Sequence, residues 1–102
     1  MRKAKVFFDG CPAGILTEDN GHYVFEYNGD YKGPSVSRAM PREKKRFEFE
    51  EFPAFFDGLL PEGVNLEAFL RKTKIDRRDY FSQLLTVGHD LVGAITAEKW
   101  NE

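Results

Sequence analysis

Apolar residues in the first half of this chain follow a two-residue period, and in the second half they recur every three or four positions. Lys3 to Phe8, with Val6, Phe7 and Phe8, reads as a first strand that Gly10-Cys11-Pro12-Ala13-Gly14 ends. Ile15 to Glu18 is a short second strand, and Asn20-Gly21 suits the positive φ angles of a hairpin turn. His22 to Tyr27 returns as a third, placing Tyr23, Phe25 and Tyr27 on one face and His22, Val24 and Glu26 on the other. Val36 is read as the start of a fourth strand, closed by Met40-Pro41. Phe47 and Phe49 then alternate with Glu48 and Glu50, as in a half-buried strand or an extended lead into the next element.

Helical spacing begins with Phe52, Phe55, Phe56 and Leu59, and Pro53 suits a first helical turn because its missing N–H costs nothing there. Gly58 limits the helix, and Pro61-Glu62-Gly63 forces a turn in which Gly63 takes a positive φ. The stretch therefore presents Glu62, Gly63, Val64 and Asn65 on a stiff corner supported by Phe55, Phe56, Leu59, Leu60 and Pro61. Such a corner is either a simple connection between helices or a contact surface ordered before its partner arrives. Asn65 is the expected N-cap of a helix with Leu66, Phe69 and Leu70 on one face. Asp76 is the expected N-cap of another, running through Tyr80, Phe81, Leu84, Leu85 and Val87, with Asp79 at its third position and Gly88 as its stop. Leu91 to Ala97 reads as a last strand in which Gly93 marks a bulge or a close backbone approach. Glu98 to Glu102 is expected to be a tail whose Trp100 tucks back onto the body. Strands, then helices, then a strand predict an α+β domain: a mainly antiparallel, barrel-like sheet with two or three short helices.

Length and charge narrow the partners. A chain of 102 residues makes one domain, 1–102, and 41% hydrophobic residues with ten Phe can fill its core. Fifteen basic and 17 acidic side chains leave a net charge of -2, so no global field draws the chain to nucleic acid or membrane. A lone Cys11 cannot form an internal disulfide, which fits a reducing compartment, and with neither a signal peptide nor a bilayer-length apolar run read from the sequence the expected location is the cytoplasm.

Catalytic chemistry is sparse. His22, His89 and Cys11 have no metal-ligand spacing, and Cys11 has no evident activating neighbour. Asp57 with Glu62, and Asp76 with Asp79, are explained by turn exposure and helix capping rather than by acid–base work. Gly88-His89-Asp90-Leu91-Val92-Gly93 lacks the Lys-Ser/Thr of a phosphate loop. Two basic clusters, Lys44-Lys45-Arg46 and Arg71-Lys72 with Lys74, Arg77 and Arg78, could meet phosphates, and Tyr31, Phe47 and Phe49 could stack bases. Glu43, Glu48, Glu50 and Glu51 beside the first cluster favour a solvated mixed-charge surface. No catalytic, cofactor or metal site is expected.

Several motifs, in order along nearly the whole chain, resemble the N-terminal subdomain 1 of the HipA family of serine/threonine toxin kinases. They are Gly14-Ile15-Leu16, Tyr23-Val24-Phe25-Glu26-Tyr27, Phe55-Phe56-Asp57-Gly58-Leu59-Leu60-Pro61-Glu62-Gly63 and Asp79-Tyr80-Phe81-Ser82-Gln83-Leu84-Leu85, leading into Val87-Gly88-His89-Asp90-Leu91-Val92-Gly93-Ala94. The resemblance does not extend to a kinase body, so no enzymatic activity is implied. A copy of this size is similar to the HipS antitoxins of three-gene HipBST toxin–antitoxin systems. That resemblance implies an antitoxin that binds and neutralises a HipT-like serine/threonine kinase by blocking its active-site cleft. It implies a HipB-like helix-turn-helix protein in the same complex as the DNA-binding component, with no direct nucleic-acid contact by this chain. Two other readings stay open: a non-inhibitory accessory subdomain completing a HipA-like kinase, and a small nucleic-acid-binding module.

Overall fold

The computed structural model describes residues 1–91 and 93–100. Five strands, β1 (Arg2–Phe8), β2 (Cys11–Asp19), β3 (His22–Tyr27), β4 (Arg46–Phe49) and β5 (Ile95–Lys99), form one sheet in the order β4-β3-β2-β1-β5, with every neighbouring pair antiparallel. Three helices follow β4 in the chain: α1 (Ala54–Asp57), α2 (Gly63–Thr73) and α3 (Tyr80–Val87), the last running into a 3-10 turn over Gly88–Asp90. The α+β class and antiparallel pairing are as expected. The sheet stays open between β4 and β5, so the barrel-like closure is not reached; helices and a long connection fill its inner face instead.

Alternation decides which face is inner. Ala4, Val6, Leu16, Tyr23, Phe25, Tyr27, Phe47, Ile95 and Ala97 are buried, while Lys5, Glu26, Glu48 and Glu98 are exposed. Phe56 of α1 sits 6.0 Å from the Phe25 ring, and Phe52 meets Tyr23 edge-on at 5.4 Å. Phe81 and Leu84 of α3 are fully buried on the same face.

The connection from β3 to β4 holds no strand at Val36, contrary to expectation; only a bridge between Ser37 and Met40 forms. Gly33-Pro34 and Met40-Pro41 interrupt the backbone there, so Val36 and Met40 are buried as separate side chains rather than in a ladder. Tyr27 pins them. Its hydroxyl donates to the Met40 carbonyl and accepts from the Val36 N–H at 2.9 Å, while its ring stacks on Tyr31.

Other boundaries shift for local reasons. Asp9 and Gly10, both at positive φ, form the first turn, so Cys11-Pro12 opens β2 instead of ending β1. Pro12 faces Phe7 where the register slips, a position that tolerates a missing donor. The last strand begins later than expected, at Ile95, and takes Glu98 and Lys99 from the presumed tail. Gly93 lies before it at φ 113 rather than within it. Val92, read as part of that strand, and the final two positions of the tail lie outside the described residues. Trp100 does turn back: its N–H donates to the Lys3 carbonyl at 3.1 Å, and its ring sits 4.8 Å from Lys3 Nζ.

Candidate partner-binding surface at the start of the second helix

The corner is built from the core outward. Four successive N–H groups, from Asp57 to Leu60, donate back to carbonyls of Pro53, Ala54, Phe56 and Asp57, which winds α1 into one tight turn. Phe56 and Leu60 are driven into the core, while Phe55 and Leu59 pack along its margin. Pro61 is half-buried above them, so the five supporting residues read from the sequence do lie beneath the corner. Glu62 is extended, at φ -130 and ψ 159, and Gly63 takes φ +58, a conformation that costs a side-chain-bearing residue more.

That glycine turns the chain straight into α2. The helix therefore starts three residues earlier than expected: Glu62 rather than Asn65 occupies the N-cap position, without a side-chain hydrogen bond, and Val64 and Asn65 lie in the first turn. Glu62, Gly63, Val64 and Asn65 are all exposed, and Val64 is 82% so. The corner thus presents an apolar side chain beside a carboxylate and an amide, held on a buried anchor.

Asp79, not Asp76, caps α3. Its carboxylate accepts from the Ser82 N–H at 3.2 Å and from the Ser82 hydroxyl at 2.7 Å. Asp76 instead closes the preceding turn by accepting from the Arg78 N–H at 2.7 Å. Burial raises the Asp79 pKa, but the bonds from Ser82 and from Arg2 outweigh it, and the net result lies below the usual carboxylate value. Arg2 was missed by sequence reasoning, which saw only a basic N-terminus. It bonds to Glu18 at 2.8 Å, Asp79 at 3.0 Å and Ser82 at 2.9 Å, and lies over the Phe81 ring, tying β1 and β2 to α3.

Both histidines and part of the first basic cluster have local partners. His22 meets Glu48 at 3.1 Å and Glu50 at 3.7 Å, and His89 meets Asp90 at 3.3 Å. The hydrogen bond from His22, then the charge of Arg46, lowers the Glu48 pKa. Arg46 itself lies between Glu26 and Glu48, and Lys44 sits over the Phe47 ring, as a mixed-charge surface requires. Cys11 is exposed and unpaired with another cysteine. Among the described residues no group of three or more His, Cys, Asp or Glu is placed to hold a metal, and no helix is long and apolar enough to cross a membrane. Two surface grooves of about 620 and 610 Å³ lie over the outer sheet face near Ile15, Val24 and Trp100, and beside Phe8, Cys11 and Tyr31. Neither includes the corner.

The fold coincides with that of a known domain. The family model described as HipA N-terminal domain matches residues 4–98. This chain belongs to that family. An uncharacterised protein of Haemophilus influenzae is 33% identical over 99 residues, which cover 97% of this chain and 93% of that protein. A solved structure described as the N-terminal domain of HipA toxin superposes with a TM-score of 0.82 at 31% identity, over all of this chain and 95% of that one. In this HipA N-terminal domain, the early motifs supply the buried faces of β2 and β3, and the later ones build α1, the corner and α3.

Proposed function

We propose that this chain is a HipS-like antitoxin, which binds a HipT-like serine/threonine kinase toxin and neutralises it by blocking its active-site cleft. The observation that carries this reading is Val64, 82% exposed on a corner anchored by buried Phe56 and Leu60, in a domain shared with a HipA toxin. A HipA N-terminal domain is by its description the leading part of a longer toxin. The Haemophilus influenzae relative, aligned over 93% of its length, is about one domain long, which supports a role for the domain as a separate protein. Supplied in trans, it docks on the kinase, and Glu62, Gly63, Val64 and Asn65 reach the cleft and hinder closure or substrate entry. The chain acts by protein–protein contact in the cytoplasm, without catalysis of its own. A HipB-like helix-turn-helix protein supplies DNA binding in the same complex.

The test is co-purification from the native host, followed by assay of any recovered kinase with and without excess of this chain. Recovery of a HipA-like kinase that the excess suppresses supports the antitoxin reading. Stimulation makes the chain an accessory subdomain instead, and recovery of no kinase removes both.

A further inference from the structure

The second helix is amphipathic yet has little of the body against it. None of its eleven residues is buried. Leu66, Phe69 and Leu70 share one face, but they remain half-buried and outside the set of side chains packed against the core. An isolated helix of this length is marginal in water, because nucleation fixes several residues before propagation compensates. Its ends are what hold it. The Thr73 hydroxyl donates to the Phe69 carbonyl at 2.8 Å, Lys74 in the left-handed conformation donates its N–H to the Leu70 carbonyl at 2.9 Å, and Arg77 pairs with Glu67 at 2.6 Å. The helix is thus ordered while its apolar seam is left only partly covered.

Charge says what fits that seam. Residues 71–78 carry five cations against one carboxylate, Asp76, in a chain whose net charge is -2. Arg77 is engaged by Glu67, but among the described residues no carboxylate pairs with Arg71, Lys72, Lys74 or Arg78, and all four are exposed. At 100° per residue Lys72 and Arg71 lie to either side of the stripe of Leu66, Phe69 and Leu70, about 115° and about 145° from its centre, with Lys72 the nearer. The helix dipole favours cations in the last turn, yet Arg78 lies well beyond it, so capping does not account for the whole cluster.

We propose that the seam of α2 is an anchoring surface, separate in role from the Val64 tip, for a segment of the kinase toxin that presents apolar side chains bordered by carboxylates. The identity of the partner rests on the antitoxin reading above; the chemistry of the segment follows from the seam and its basic border. Opposite charge speeds encounter and sets orientation, and burial of the seam slows release. Affinity then resides in α2 and inhibition in the corner, so substitution separates them.

The experiment uses this chain and the kinase that co-purifies with it, with association and dissociation rates measured at low and high salt alongside kinase activity. Combined Arg71→Glu and Arg78→Glu should slow association about tenfold at low salt, with the difference shrinking to about twofold in high salt as screening takes over. Phe69→Ser should weaken Kd by about 30-fold through faster release. Both variants should still inhibit fully at saturating concentration, because the tip is intact. Circular dichroism checks the fold, and the charge reversals, at exposed positions, keep the test decisive should Phe69→Ser unfold. Wild-type kinase binding by the charge reversals overturns the anchoring role and leaves the antitoxin reading standing. So does a finding that the reversals leave kinase binding intact and instead abolish RNA binding or dissociate a dimer of this chain. Failure to recover any kinase overturns both.

Discussion

Val64 and Tyr27 mark opposite extremes of what one side chain does here. Val64 touches solvent almost everywhere, so Val64→Asp should leave stability within about 0.5 kcal/mol of wild type while neutralisation of the kinase falls at least about tenfold. Chemical denaturation alongside a kinase inhibition titration checks both halves; unchanged inhibition would remove the corner from the mechanism. Tyr27 is 3% exposed, and its hydroxyl bonds both Met40 and Val36. Tyr27→Phe leaves a buried carbonyl and a buried N–H without that partner, an expected loss of about 1–3 kcal/mol measured by urea unfolding. Position in an aromatic run could be read from alternation. The two backbone partners could not, since they lie nine and 13 residues away on a connection with no regular pattern.

At the scale of elements, α3 depends on its first residue pair. Asp79→Ala removes the cap on Ser82 and the contact with Arg2 together, and should cost about 1–2 kcal/mol. The carboxyl's folded pKa lies below its unfolded value, so its contribution is complete above the unfolded value and is lost as pH falls through the lower folded one. Wild type should therefore lose stability below about pH 4 more steeply than Asp79→Ala. Urea midpoints across the acidic range decide this, and parallel pH profiles would count against the cap. Asp76 was read from the sequence as the N-cap, with Asp79 at the third helical position, yet Asp79 holds the cap. What separates them is Ser82, three residues after Asp79, whose N–H and hydroxyl both reach the same carboxylate. Likewise Asn65 was a reasonable cap for α2 until the positive φ of Gly63 let the helix start sooner.

For the molecule as a whole, the joining of the chain's two ends matters most. β5 pairs with β1, and its backbone is pressed by the 3-10 turn: a Cβ on Gly88 would stand 2.3 Å from the Ala97 carbonyl oxygen. Gly88→Ala must move backbone rather than a flexible side chain, with an expected cost of about 1–3 kcal/mol. Hydrogen exchange should report it as faster exchange in Ile95–Lys99 than in β2 or β3. Equal protection across the sheet would mean that the strand adjusts without loosening. The glycine read from the sequence as a bulge or a close backbone approach was Gly93; the close approach belongs to Gly88, because the turn that brings it onto β5 is defined by a contact from outside its own segment.

The sequence by itself determined the class of the fold, the hairpin of β2 and β3, the inner face of the sheet and the buried support under the corner. All of these follow from local periodicity and turn chemistry, which act within a few residues. It also carried the motifs of the HipA N-terminal domain, confirmed by the family match over residues 4–98. Tertiary structure alone decided that the sheet stays open, that Arg2 joins β1 and β2 to α3, and that α2 keeps its apolar seam partly uncovered. A helical stripe reads the same whether the body covers it or not, because periodicity records which face is apolar and only packing records what lies against it.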